Sequence, residues 1–428
     1  MKRDAAGRCE LAPDAFLAAI SEGIGSLLQE VPVSARDIRA LSFASQTNSF
    51  LILDRRDDPL TPLILWPDLR AAAMEGFSEK AGMFASRVGQ TGVPVVTHEF
   101  MVAKLLWLRR DRDIWSKVRR AALISDYLMW WLTGEWITEA GACGLTGLCD
   151  IRLLKWIPSA CETVDLDTVH LPRITRAGTD LGVLLPARAA ELGLPLSCHV
   201  VVGCLDQYAG ALGVGNIRPG GCSETTGTVL SAVRCSDRME SKGTGVFQGP
   251  AWSPDGFYQM TFGSCSANLL EWYRGQLPDH PPFELLSALA AGIPAGAEGL
   301  RLSPNAGHGP IIEGFIGMTP AHGRGHCVRC IFEAVASALN DHIAALCGDM
   351  RPAEVRCAGG GARSDLWLKI KADHSGVPMI AMACSEPTSL GAAILAAHGT
   401  GWGTVDDLVL KWVHSRGVFR PGPNKGRM

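Results

Sequence analysis

The sequence predicts a mixed α/β protein of two domains with a boundary near residue 215. Three observations carry this. A chain of 428 residues is too long for one ordinary domain at roughly 150 residues each. Apolar residues make up 47% and charged residues 19%, enough for sizeable cores and too apolar for disorder. Apolar periodicity alternates between helical stripes and short β-branched runs. No tandem repeat of fixed period is visible, so a solenoid is not expected.

The elements follow in order. Pro13 opens a helix whose apolar residues Phe16, Leu17, Ile20, Ile24, Leu27 and Leu28 recur at helical spacing. Residues 38–45 predict a strand. Residues 50–53 and 62–66 flank the turn segment Arg55-Arg56-Asp57-Asp58-Pro59 and predict a hairpin. Helical spacing returns over 99–132 and stops at Gly134. Residues 199–203 predict a strand, 206–213 a small-residue helix, and 222–233 two strands around Thr226-Gly227-Thr228. Val328, Ile331, Phe332, Val335, Leu339, Ile343 and Leu346 form the longest helical stripe. A strand at 354–358, the run Gly359-Gly360-Gly361, a helix with Leu366, Trp367 and Ile370, and a helix at 389–397 complete the chain.

Charge and composition exclude several function classes. A net charge of −3 gives no basic excess for nucleic acid. The start, Met1-Lys2-Arg3-Asp4, is polar, with no signal-peptide apolar stretch. No apolar run approaches the roughly 20 residues of a membrane helix. Fourteen cysteines lie scattered singly, which suits a reducing cytoplasm, and the expected location is cytoplasmic.

Four segments are candidates for chemistry. Asp206-Gln207 sits where a strand passes into a helix; a carboxylate there can accept a proton from a substrate hydroxyl, or serve as a plain N-cap. Thr225-Thr226-Gly227-Thr228 can offer N–H and hydroxyl donors to an anion, or be an ordinary hairpin turn. Gly359-Gly360-Gly361-Ala362 lies between a strand and a helix, where a nucleotide can rest on bare backbone. It is neither a Walker A loop nor a GxGxxG fingerprint. His322, His326, Cys327 and Cys330 approach zinc-ligand spacing, but no second close pair accompanies them and Cys330 falls in the long helix.

The order of motifs says more than each alone. Ser45-Gln46, Ile64 to Arg70 (Ile-Leu-Trp-Pro-Asp-Leu-Arg), Lys104-Leu105-Leu106-Trp107-Leu108, Asp126-Tyr127-Leu128 and Leu132-Thr133-Gly134-Glu135 come first. Asp206-Gln207, Gly227-Thr228, Phe332 to Ala336, Gly359 to Ala362 and Leu390-Gly391-Ala392-Ala393 follow. Over residues 10–405 the chain resembles the FGGY family of carbohydrate kinases. The resemblance implies two actin-like (ribonuclease H-like) α/β domains with a cleft between them: 1–215 on the sugar side, 216–410 on the nucleotide side, and a tail at 411–428. It implies ATP-dependent phosphorylation of a ketose or polyol, with ATP and Mg²⁺ as cofactors. Asp206 matches the general base and a Mg²⁺ contact. Gln46, Asn48, Asp68, Arg70 and Gln207 match sugar contacts; Gly227, Thr228, Gly359, Gly360, Gly361 and Ala362 match nucleotide contacts. Partners would be the sugar and ATP, with no nucleic acid and no membrane; an oligomer, if formed, would be a homodimer.

The chain departs from the family in places. Members begin with a strand-turn-strand unit bearing Asp-x-Gly-Thr, and no such motif occurs in the first 60 residues. About 25 to 30 positions are unmatched, counting two strands and their turns. A reduced or distorted first-domain sheet is therefore expected, with strand 38–45 keeping only neighbours on its hairpin side. Thr47-Asn48 stands where xylulose-kinase-like members carry Met-His and glycerol-kinase-like members Arg-Glu. The alternative to an active kinase is a catalytically impaired sugar- or nucleotide-binding relative. A sugar-responsive repressor would need a DNA-binding helix-turn-helix, which neither end offers.

Overall fold

The computed structural model describes residues 1–240 and 245–422. The chain forms two compact units. The first comprises 1–210, 237–258 and 388–409; the second comprises 211–236, 259–387 and 410–428. The first unit thus closes at 210 rather than 215, and two later segments return to it.

In the first unit the apolar run Phe50–Leu53 is fully buried, which explains why it lacks strand alternation. It pairs with Leu63–Ile64 on one side and Arg120–Leu123 on the other. Cys9–Leu11 and Lys2–Arg3 extend the sheet, giving five antiparallel strands in the order Lys2–Arg3, Cys9–Leu11, Leu63–Ile64, Phe50–Leu53, Arg120–Leu123. The predicted hairpin is therefore present. Its turn is held by Asp54, whose Oδ1 accepts from the Arg56 and Asp58 backbone N–H groups at 2.7 and 3.1 Å.

Strand 38–45 does not sit beside that hairpin, and this corrects the expectation. It forms two short pieces, Ala40–Leu41 and Ala44–Ser45. They pair in parallel with His199–Val201 and Cys204–Leu205. The break has a local cause. Phe43 and Gly203 face each other so closely that a Cβ on Gly203 would lie 1.8 Å from the Phe43 carbonyl oxygen. That contact admits only glycine and interrupts both strands at one point. The sheet holding Ala40–Leu41 has three strands, the third being Asp180–Val183. It is short, but a five-stranded sheet is built entirely from residues 2–123, so the expectation of a reduced first-domain sheet is corrected: strands Lys2–Arg3 and Cys9–Leu11 fill out the hairpin's sheet. The helix Pro13–Glu30 contains no fully buried residue; Phe16, Leu17, Ile20, Ile24 and Leu28 pack partly buried on a core of Leu128, Leu132, Leu192 and Val200.

In the second unit, Cys222–Thr226 is central. It pairs antiparallel with Leu230–Ser236 and parallel with Val355–Ala358. Beyond these come Met379–Met382, parallel, and Ser415–Phe419, antiparallel. The segment expected as a tail therefore supplies an edge strand; positions 423–428 lie outside the described residues. The long helix is Arg324–Cys347, and its seven stripe residues are all buried. By length and composition alone this helix could cross a membrane; its buried apolar face makes it the core helix of the unit. None of the fourteen cysteines, all among the described residues, forms a disulfide. Cys327 and Cys330 are buried on that helix, and no group of three or more potential metal ligands exists among the described residues.

Candidate functional site

Two loops of the first unit dock on one short segment, residues 139–145. Glu139 is buried, and its carboxylate accepts from Gly141 N (2.6 Å), Ala142 N (2.8 Å) and Leu205 N (3.2 Å). The third bond crosses to the strand directly before Asp206. Burial pushes the Glu139 carboxyl up to about 7 against the pull of those N–H donors and of Arg176. From the other loop, Thr47 Oγ1 donates to Ala142 O at 2.7 Å and Asn48 Nδ2 to Leu145 O at 3.3 Å.

Asp206 opens the helix Asp206–Gly213, at the end of strand Cys204–Leu205. Its Oδ1 accepts from the next residue's N–H, Gln207 N, at 2.7 Å, which is not the bond to N2 or N3 that defines an N-cap. Burial raises its carboxyl above the usual range, opposed by the Gln207 hydrogen bonds. A half-buried acid at a strand end, with a raised proton affinity, has the attributes of a general base. Gly391 stands behind this helix: a Cβ there would lie 2.0 Å from Ala209 O, so glycine lets the helix Pro387–Gly399 approach.

The remaining sugar-side candidates divide. Gln46 and Gln207 adjoin the docked loops, and both are half-buried. Asn48 is consumed by the fold: besides its bond to Leu145, its Oδ1 accepts from Met101 N at 2.9 Å, and its φ of 60° suits asparagine. Asp68 and Arg70 neutralise each other. Asp68 is fully buried, accepts from Cys9 N at 2.6 Å and takes Arg70 Nε at 2.7 Å; Arg70 also pairs with Glu10 and lies over Trp107. These two hold the 65–70 loop to the first strands.

Lys104, in the run Lys104 to Leu108, carries a structural role that the motif does not announce. Its buried ammonium donates to three carbonyls: Leu65 (3.1 Å), Trp66 (2.8 Å) and Glu99 (2.8 Å). Desolvation lowers it to about 7. The signal was present: a lysine on the helical face shared by Met101, Leu105 and Leu108 has no apolar reason to be there. Glu139 carried no such signal: two of its donors make an ordinary N-cap on the next turn, and the third, Leu205 N, lies 66 residues on.

In the second unit, Gly227-Thr228 follows strand Cys222–Thr226, with Thr228 exposed. The Gly227 carbonyl accepts from Ser266 Oγ at 2.7 Å and Ala267 N at 3.1 Å. Gly359 has φ 80°, and a Cβ there would lie 2.8 Å from Thr226 O. A Cβ on Gly361 would lie 2.7 Å from Thr226 Cβ. Gly360 is open and exposed, and Ala362 is buried. The structure therefore brings 227–228 and 359–362 together around Thr226.

The FGGY N-terminal domain model matches residues 1–213 and the FGGY C-terminal domain model matches 244–400. The chain belongs to the FGGY family of carbohydrate kinases. It is 28% identical to xylulose kinase of Bacillus subtilis, over 98% of this chain and 86% of that one. It is 29% identical to glycerol kinase of Aromatoleum aromaticum, over 95% of this chain and 85% of the other. The ligand-bound xylulose kinase structure from Lactobacillus acidophilus superposes with a TM-score of 0.89 at 22% identity, covering 99% of this chain and 87% of that one. The two-domain actin-like fold is thus that of the family. The chain is a carbohydrate kinase, with a sugar or polyol and ATP as substrates.

Proposed function

We propose that this kinase transfers the γ-phosphoryl group of ATP to a hydroxyl of a ketose or polyol, with Asp206 as the general base. The observation that carries this reading is Asp206 itself. It is a half-buried carboxylate at a strand-to-helix junction, with its proton affinity raised by burial. Gln207 holds the carboxylate through its backbone N–H and its side chain, and the carboxylate takes the proton of the substrate hydroxyl as the hydroxyl oxygen bonds to the γ-phosphorus and ADP leaves. Gln46 and Gln207 supply amides for sugar hydroxyls. Gly227, Thr228 and the 359–362 loop supply backbone and hydroxyl donors for the nucleotide. Asn48, Asp68 and Arg70 act through the fold, holding the loops on which the sugar side is built.

Mg²⁺ fits this donor set in a limited way. It binds through one or two carboxylates together with phosphate oxygens and water. Glu139 is saturated by three N–H donors, which leaves Asp206 as the carboxylate to hold the ion at this site. The ion would neutralise phosphate charge.

A panel of ketoses, sugar acids and polyols in a coupled ADP-release assay tests the reading. Sugar-dependent ADP release lost in Asp206→Asn supports it. Turnover by that variant at the wild-type rate removes Asp206 from the role, and no release with any compound refutes kinase activity for this chain.

A further inference from the structure

Beneath the two nucleotide-side loops lies a fully buried ion triad. The side chains of Lys371 and Glu224 have no solvent exposure. Lys371 Nζ donates to Glu224 Oε1 and to Thr226 Oγ1, each at 2.7 Å. Thr226 Oγ1 in turn donates to Glu224 Oε2 at 2.6 Å. The hydroxyl accepts from the lysine and donates to the carboxylate, so its rotation is fixed from both sides.

A buried ion pair is poor value as a source of stability. Removing two charges from water costs several kcal/mol per ion, and apolar replacements are often neutral or better. What such a network can do is specify one geometry. Here that geometry concerns Thr226. It is the last residue of strand Cys222–Thr226, directly before Gly227-Thr228. It is also the residue on which Gly359 and Gly361 pack, through its carbonyl and its Cβ respectively. Lys371 comes from helix Asp365–Ser375, which follows the glycine loop. The triad therefore joins the strand that leads into one loop to the helix that leads out of the other. The helix end of this joint is itself anchored. Trp367 stacks on Phe332 at 4.2 Å between ring centroids and donates Nε1–H to Phe332 O at 3.1 Å. Lys371 lies 5.4 Å over the Trp367 ring.

We infer that Lys371, Glu224 and Thr226 form a clamp that sets the spacing of the 227–228 and 359–361 loops, and are positioning residues for the adenine nucleotide. This rests on the reading of those loops as the nucleotide side. A ligand that touches two loops at once binds tightly only if their separation is fixed beforehand. A rotated Thr226 hydroxyl would move both loops together.

The test uses the full chain carrying Thr226→Val, Thr226→Ser, or the paired change Lys371→Met with Glu224→Leu. Thermal melting, affinity for a fluorescent ATP analogue, separate KM values for ATP and sugar, and amide hydrogen exchange are measured. The paired variant should stay folded with a lowered melting temperature: an apolar pair replaces an ionic one, but the buried Thr226 hydroxyl loses both partners. Its nucleotide affinity should fall at least about tenfold, and its KM for ATP should rise while that for sugar stays unchanged. Thr226→Val should behave alike, and Thr226→Ser, which keeps the hydroxyl, should recover most of the affinity. Amides of 227–228 and 359–361 should exchange faster together in Thr226→Val. Unchanged nucleotide affinity in a folded paired variant, or Thr226→Ser as weak as Thr226→Val, overturns the clamp. If the paired variant does not fold, the two Thr226 variants decide. If the wild-type chain binds no adenine nucleotide, the functional reading of the loops falls. The exchange data then decide the clamp alone: a joint rise supports it, and no change, or a rise in one loop only, overturns it.

Discussion

At the residue scale, buried ionisable groups make the sharpest claims. Asp206→Asn should lower kcat by about a hundredfold or more, since an amide cannot take the hydroxyl proton. Nucleotide affinity should stay near that of the wild type, and equilibrium binding alongside ADP release checks both. A second prediction concerns pH. Asp126, whose Oδ2 accepts from Leu123 N at 2.9 Å, is raised by burial to about 8, and Glu139 likewise to about 7. Both carboxyls bind more protons folded than unfolded, so their contribution is full below about pH 4 and is lost as pH rises through 7 to 8. Lys104 has the opposite sign: lowered to about 7, it binds fewer protons folded, and the stability it costs is regained as pH rises from 7 towards 10.5. Melting temperatures from pH 4 to pH 8 should therefore decline less in Asp126→Asn than in the wild type. An equal slope in the two proteins would contradict the burial argument. Among single residues, the sequence made Asp206 and the two glycine loops legible because they sit at strand ends, which periodicity locates. It did not reveal the structural bonds of Asn48, Asp68 and Arg70, because nothing local shows that Met101 N, Cys9 N and Glu10 wait for them.

At the element scale, legibility followed period. The stripe from Val328 to Leu346 lies buried as spaced, and helix Ile124–Thr133 stops at Gly134 with φ 80°. Strand 38–45 was legible as a strand but not in its pairing. Its partner, 199–205, lies some 160 residues on, and the break at Phe43 depends on Gly203. Short, broken ladders open easily. Amides of Ala40–Leu41 and Ala44–Ser45 should exchange faster than those of Val355–Ala358, which pairs on both sides; the reverse order would show the broken ladder to be tighter than its length implies. The glycine contacts give a stronger test. Gly391→Ala places a methyl 2.0 Å from the Ala209 carbonyl oxygen, a contact that backbone must move to relieve. Urea denaturation should show a loss of at least about 3 kcal/mol, at the upper end for overpacking. A loss below about 1 kcal/mol would mean that the two helices separate freely.

At the scale of the whole molecule, the two compact units are each woven from three segments of chain, and that weaving is not legible in the sequence. Periodicity reports each segment's own burial and says nothing of which core receives it. The first unit needs 237–258 and 388–409 as well as its first 210 residues. Gln248 N donates to Gly92 O at 2.9 Å, and Gly391 backs the helix of Asp206. A fragment ending at residue 215 should therefore fail to fold as an independent domain. Circular dichroism and limited proteolysis of residues 1–215 check this: a cooperative thermal transition and a protease-resistant core would show that the returning segments are dispensable.

The same weaving has a consequence on the ribosome. Residues 388–409 emerge roughly 180 residues after the segment they complete, about 10 to 40 s later at ordinary synthesis rates. Through that interval the surface around Ala209 awaits a helix that has not been made. The nascent chain cannot finish its first lobe before its second is nearly translated, so both mature late and almost together. Chaperone dependence and sensitivity to premature termination should accordingly persist until residues 388–409 have been made.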